Sequence, residues 1–146
     1  MLFVYGTLQD ADVLAAVLGR VVELTSLHRA IAPGYRATAY PGRVYPGLVV
    51  SPDDAAPGHV IHDLLPLDLA ALDAFEGDEY SRGSIEVLID GHRAQAQTYL
   101  PTITISALAP IWSLSDWTSR HKPSVITAEV ATAEALRQRL FAARSD

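Results

Sequence analysis

The sequence predicts an α+β domain. Three observations lead there. The elements run in the order β-α-β…β-α-β-β-α, without the regular alternation of a parallel α/β repeat. Two short helical stretches are each closed by a glycine, Gly19 and Gly77. A hairpin signal, Asp90-Gly91, sits between two runs with alternating apolar residues.

In chain order, Leu2-Phe3-Val4-Tyr5 reads as a short, fully buried strand that stops at Gly6. Asp10 is placed to N-cap a helix over Ala11 to Leu18, with Gly19 at its end. Val13, Val17, Leu14 and Leu18 give that helix an apolar face. From Arg20 to Val50, Pro33-Gly34, Pro41-Gly42 and Pro46-Gly47 cut the chain into short β-leaning pieces. Ser51 to Gly58 carries Pro, Asp and Gly and reads as a surface loop, followed by a strand from His59 to Leu65. Leu67 to Glu76 reads as a helix with Asp68 as a capping residue and Gly77 as its stop. Across Asp90-Gly91, the pairing places Val87 opposite Ala94, Ile85 opposite Ala96 and Glu86 opposite Gln95. A short helix within Trp112 to Lys122 and a terminal helix from Thr132 to Ala143 complete the expectation.

Composition narrows the function. The 146 residues are one domain's worth of chain, and 49% are hydrophobic, which excludes a disordered polypeptide. A net charge of −6 argues against nucleic acid as a partner. No segment approaches the ~20 apolar residues of a membrane span, and the opening residues lack the features of a signal peptide. The expected setting is therefore cytoplasmic. Arg outnumbers Lys ten to one and Asn is absent, a skew expected of a GC-rich bacterial genome. No cysteine is present, so there is no thiol nucleophile, Cys-based zinc site or disulfide framework. His59 and His62, three apart on an expected strand, point to opposite faces and make no metal pair.

Two stretches carry chemistry. The first is Tyr5-Gly6-Thr7-Leu8-Gln9-Asp10, where a buried strand passes through a glycine turn into a helix. The amides of such a turn can cradle a carboxylate or phosphate. An ordinary strand-to-helix turn would look the same. The second is Leu72-Asp73-Ala74-Phe75-Glu76-Gly77-Asp78-Glu79-Tyr80-Ser81-Arg82. At 100° per residue, Glu76 lies only ~20° around the helix from Leu69 and so points toward the apolar side. Such a carboxylate is either paired, with Arg82 or a backbone amide, or has a raised pKa. Asp73 shares the same broad face and would push it higher, while Asp78 and Glu79 fall past the glycine and are expected to be solvated.

At these stretches the chain resembles the gamma-glutamylcyclotransferase-like family, in its AIG2-like and gamma-glutamylamine cyclotransferase branch. Leu2 to Leu8 resembles the strand running into Tyr-Gly-Thr-Leu. Tyr45-Pro46-Gly47-Leu48-Val49 resembles the family's first-half segment, and Leu72 to Arg82 resembles its Phe-Glu-Gly segment. The resemblance covers about residues 1 to 100 and leaves the last third unmatched. It implies a barrel-like mixed sheet flanked by helices, in one domain over residues 1–146. It also implies that the turn at Tyr5 to Asp10 holds the α-carboxylate of a γ-glutamyl substrate. Glu76 would be the catalytic proton acceptor, with Glu79 as the other candidate base; Tyr80 and Arg82 would either close the pocket or pair structurally with the acidic cluster, the latter being the expected role. The implied reaction is intramolecular cyclisation of a γ-glutamyl amine or amino acid to 5-oxoproline, with no metal, nucleotide or other cofactor. A non-catalytic binding module, or removal of a γ-glutamyl group in a biosynthetic pathway, would use the same scaffold. Nothing in the sequence sets the leaving amine or the oligomeric state.

Overall fold

The computed structural model describes residues 1–23 and 26–145. Leu24 and Thr25, within the stretch expected to hold short β pieces, and Asp146, at the edge of the expected domain, lie outside the described residues. Five strands, β1 (Leu2–Val4), β2 (Leu27–Ala39), β3 (Pro46–Ile61), β4 (Tyr80–Ile89) and β5 (His92–Pro101), close into a barrel in the order β1-β3-β2-β4-β5. Four helices flank it: α1 (Ala11–Leu18), α2 (Pro66–Glu76), α3 (Leu114–Arg120) and α4 (Lys122–Ser145). The expected α+β class with a barrel-like sheet is the observed one.

Strand β1 closes the barrel. It pairs antiparallel with β3 through Leu2 opposite Ile61 and parallel with β5 through Leu2 opposite Gln97. Its three residues are all buried, with alternate side chains serving different layers. Phe3, together with Tyr5 just beyond the strand, joins Ala30, Ala32, Leu48, Ala56, Val60, Val87 and Ala96 in a cluster without helical residues, the barrel interior. Leu2 and Val4 turn the other way, onto Val13, Val17, Leu72 and the fully buried Trp117. The alternation of a strand thus links two cores.

The hairpin of β4 and β5 has the expected register, with Val87 opposite Ala94, Glu86 opposite Gln95 and Ile85 opposite Ala96. Asp90 and Gly91 both take positive φ, 51° and 78°, as a type I′ turn requires. Helix α1 is capped as expected: the Asp10 carboxylate accepts from the amides of Asp12 and Val13 at 3.0 and 3.1 Å. In α2 the Asp68 carboxylate reaches back to the amide of Leu65 at 2.9 Å and takes Arg20 Nη2 at 2.6 Å.

The stretch from Leu27 to Ile61 corrects the expectation. It forms two long strands rather than several short pieces, and Ser51 to Gly58 is part of β3 rather than a surface loop. Tyr35 faces Val50 and Pro33 faces Ala55, so residues 51–54 bulge out against Gly34. Ala55 to Gly58 then resume pairing with Pro33 to Ala30. A bulge absorbs the Pro and Asp residues that read as a loop and bends the ribbon round the barrel. The expected strand from His59 to Leu65 ends at Ile61. The terminal helix is longer than expected and begins at Lys122, whose ammonium pairs with Asp10 at 2.8 Å and Asp12 at 2.7 Å. That contact ties the start of α4 to the start of α1. Among the described residues no helix is long and apolar enough to cross a membrane.

Candidate active site

A cavity of about 380 Å³ opens where the end of β1, the end of α2, the start of β3 and the middle of α4 meet. Tyr5, Gly6, Thr7 and Leu8 form one wall, and Glu76 and Tyr80 stand on another. The cavity thus brings together the two stretches singled out in the sequence. Gln9, Asp10 and Arg82 do not line it.

The turn leaves β1 at Tyr5, whose hydroxyl donates to the Tyr99 carbonyl at 2.5 Å. Thr7–Gln9 form one 3-10 turn. The Gly6 carbonyl accepts from the Gln9 amide at 3.1 Å and from Gln9 Nε2 at 3.3 Å. Gln9 is held in turn by His59, whose Nδ1 lies 2.7 Å from Gln9 Oε1. Carbonyl and following amide point opposite ways in a trans peptide. Fixing the Gly6 carbonyl toward Gln9 therefore turns the Thr7 N–H away from α1. Gln9 braces the turn from behind, and Asp10 caps α1 and binds Lys122. Gly6 has an ordinary negative φ of −119°. What requires glycine is proximity: a Cβ there would stand 3.1 Å from Cγ and Cδ of Pro46, another wall of the cavity.

Glu76 occupies the last turn of α2, next to Gly77, whose φ of 63° and ψ of −151° belong to a region open essentially to glycine alone. The chain can leave the helix sharply there, through a 3-10 turn at Gly77–Glu79 into β4. Leu72, one helical turn earlier, is fully buried and fixes which side of α2 faces inward. The Glu76 carboxylate has no hydrogen-bond or ion-pair partner among the described residues. Its pKa is pushed up from 4.5 to about 8, first by burial and then by the negative charges of Glu129 and Glu79.

The neighbours explain why Glu76 is left alone. Arg82 pairs with Asp73 at 3.1 Å, and the Tyr99 hydroxyl donates to Asp73 at 2.7 Å. Asp73 is therefore neutralised outside the cavity and is not what raises Glu76, contrary to the expectation. Glu79 is expected to be solvated, but it is held: Arg43 Nε donates to it at 2.9 Å, and the Tyr45 hydroxyl donates to its other oxygen. Of the three carboxylates of this segment that line the cavity, Glu79 is engaged and Asp78 is exposed, which leaves Glu76 as the inward one without a partner among the described residues. Tyr80 reaches across to donate to the Pro46 carbonyl at 2.5 Å and packs against Tyr40 and Tyr45, with ring centroids 5.6 and 6.2 Å away. Burial raises the pKa of the phenols of Tyr5, Tyr45, Tyr80 and Tyr99, so all four stay neutral donors at physiological pH.

The residues the sequence reading missed come from elsewhere in the chain. Tyr45 and Pro46 lie in the segment Tyr45-Pro46-Gly47-Leu48-Val49, whose residue types by themselves point to no site role. Ala128, Glu129 and Thr132 come from α4, in the unmatched last third. No local motif announces Glu129; only the docking of α4 beside α2 brings it to the cavity. Among the described residues there is no group of three His, Asp or Glu side chains placed to hold a metal ion.

Known proteins resemble this chain in sequence and in fold. AIG2-like protein A of Arabidopsis thaliana is 32% identical over 130 residues, covering 85% of this chain and 75% of that protein. AIG2-like protein D of the same plant is 29% identical over 138 residues, covering 92% and 89%. A solution structure of an Arabidopsis thaliana protein superposes with a TM-score of 0.65 at 29% identity, over 87% of this chain and 85% of that one. The crystal structure of YkqA from Bacillus subtilis shares the fold, with a TM-score of 0.58 at 22% identity over 82% of this chain and 41% of that one. The family described as gamma-glutamyl cyclotransferase, AIG2-like, matches residues 2–119, which contain both the glycine turn and Glu76. With that match spanning the barrel, the glycine turn and Glu76, the chain belongs to the gamma-glutamyl cyclotransferase, AIG2-like family.

Proposed function

We propose that the protein cyclises a γ-glutamyl amine or γ-glutamyl amino acid to 5-oxoproline and releases the amine. The observation that carries this reading is the unpartnered Glu76 carboxylate, facing the same cavity as the Tyr5 to Leu8 turn, with its pKa raised to about 8. The substrate's α-carboxylate lies against the turn, where backbone amides are the donors. Its α-ammonium meets Glu76, which takes one proton. The freed amine attacks the γ-carbonyl carbon of the same molecule, forming the lactam C–N bond. The attacking nitrogen, cationic after attack, gives up a second proton as the bond from that carbon to the leaving nitrogen breaks. This proton and the one held by Glu76 pass to the departing amine, which leaves as an ammonium ion.

Nucleophile and electrophile are already tethered, so the cavity's main task is to fold the glutamyl chain into an attack geometry. A carboxylate with a pKa near the working pH suits both proton transfers. The phenols of Tyr5, Tyr80 and Tyr99 at the cavity each already donate their one proton within the protein, so the backbone amides of the turn are the donors for the oxyanion that develops on the γ-carbonyl. No step calls for a cofactor. Removal of a γ-glutamyl group from a larger biosynthetic intermediate follows the same steps and differs only in the leaving amine. A non-catalytic binding module predicts the same cavity without turnover. The test is incubation with a panel of γ-glutamyl amines and amino acids, with detection of 5-oxoproline. Release by the wild type and its loss in Glu76→Gln support the reading, and a folded protein that releases none from any substrate overturns it.

A further inference from the structure

The charges on the cavity wall do not balance. Four carboxylates line it, those of Glu76, Asp78, Glu79 and Glu129, and no Lys, Arg or His does among the described residues. Glu79 is countered by Arg43 and Tyr45. Asp78 is exposed at the edge. Glu76 is reserved for the α-ammonium on the reading above. Glu129 remains. It has no hydrogen-bond or ion-pair partner among the described residues, and it stands near enough to Glu76 for its charge to act there. Its neighbours on α4, Val125, Ile126 and Val130, pack against the apolar core. An unpaired carboxylate beside them costs desolvation that an apolar side chain would avoid.

The γ-glutamyl group cannot supply the missing charge. Its α-carboxylate and α-ammonium cancel, so any surplus positive charge must sit on the amine that leaves. An amino acid as leaving group would instead bring its own carboxylate toward Glu129. We propose that Glu129 selects γ-glutamyl derivatives of diamines or polyamines, pairing with an ammonium on the leaving amine at the α4 side of the cavity. This rests on the cyclotransferase reading and deepens it. The turn and Glu76 lie within residues 2–119, matched by the family, whereas Glu129 lies beyond them. On this inference the shared part of the chain performs the chemistry and α4 sets the substrate class. The reaction supplying the substrate would then be one that joins the γ-carboxyl of glutamate to a diamine.

The experiment compares N-(γ-glutamyl)-1,4-diaminobutane with γ-glutamyl-pentylamide, in which a methyl group replaces the terminal ammonium, and with γ-glutamyl-alanine. Affinities are measured by calorimetry near pH 8 on the full chain carrying Glu76→Gln, so that binding is read without turnover. 5-Oxoproline release by the wild type is followed separately and tests the cyclotransferase reading itself. The diamine derivative should bind roughly tenfold or more tightly than the pentylamide, the scale of a partly buried ion pair. Adding Glu129→Gln should bring the ratio near one, and Glu129→Asp should keep part of it. Equal affinities for the two compounds, or a preference that survives Glu129→Gln, overturns the inference whether or not 5-oxoproline is formed. Tighter binding of γ-glutamyl-alanine than of the diamine derivative does the same.

Discussion

Arg82 grips Asp73 through an ion-pair contact of Nε to Oδ1 at 3.1 Å and a hydrogen bond that Nη2 donates to Oδ2 at 3.2 Å. This pair shapes the electrostatics of the segment, because Arg82, the segment's own cation, is spent on Asp73, outside the cavity. Arg43 is spent on Glu79 in the same way. The carboxylate between them, Glu76, keeps no cation and faces the cavity. The pair is itself partly exposed, so its direct contribution to stability is at most about 1 kcal/mol. Arg82→Met should therefore cost no more than that in chemical denaturation and leave kcat within a few-fold of wild type. A loss of activity comparable to that of Glu76→Gln would place Arg82 in the catalytic machinery.

Glu76→Gln keeps the volume of the side chain and removes the proton acceptor. With general base catalysis worth ~10²–10⁴-fold, kcat for 5-oxoproline release should fall by that order. Glu79→Gln should fall far less, since Glu79 is held by Arg43 and Tyr45. If Glu79→Gln is inactive and Glu76→Gln is not, the base is the other carboxylate.

The pH dependence of kcat/KM reports the free enzyme. Its acid limb should lie near pH 8, where Glu76 ionises. Burial contributes most to that shift and the charge of Glu129 comes next. Glu129→Gln removes a like charge and so should move the limb to lower pH, though not down to that of an exposed carboxylate. A limb that stays in place in Glu129→Gln would mean that the two groups are not coupled.

The parts of this molecule legible in the sequence are those fixed by local chemistry. Asp90-Gly91 sets the β4–β5 register because a type I′ turn leaves no choice of pairing. Asp10 sets the start of α1 because its carboxylate answers the first free amides. Glu76 was legible through helical periodicity. The stretch Ser51 to Gly58 was not, because a bulge in a long barrel strand uses the same Pro, Asp and Gly that mark a loop. Glu129 was not legible either. Its position in the cavity follows from the docking of α4, which Lys122 anchors on Asp10 and Asp12, and no local pattern records that.

Gly6 and Pro46 make contact across the mouth of the turn. Gly6→Ala places a Cβ 3.1 Å from the Pro46 ring, and that ring cannot retreat freely because the Pro46 carbonyl holds the Tyr80 hydroxyl. The overpacking should cost about 1–3 kcal/mol of stability. Gly6→Val should cost more. Affinity for 5-oxoproline, which retains the α-carboxylate, should fall in the folded Gly6→Ala variant, as read by calorimetry. Unchanged affinity would move the carboxylate site away from the turn.

Glu76 also leaves a mark on stability. Its pKa is about 8 in the folded chain against an ordinary 4.5, so between those values the native state holds a proton that the unfolded state has lost. Stability therefore falls as pH rises from about 4.5 to about 8, and the contribution is constant above and below that window. Glu129, whose pKa burial also raises, acts with the same sign. Glu76→Gln removes the larger part of this slope. The variant should match the wild type in Tm near pH 4.5 and exceed it progressively toward pH 8.5, with Glu76→Gln/Glu129→Gln flatter still. The measurement is a series of thermal melts across that range on the three proteins. A wild type whose Tm rises with pH in this window, with Glu76→Gln running parallel to it, would show that Glu76 titrates like an ordinary solvated carboxylate. The base proposed for the reaction would then lack the environment that suits it to that role.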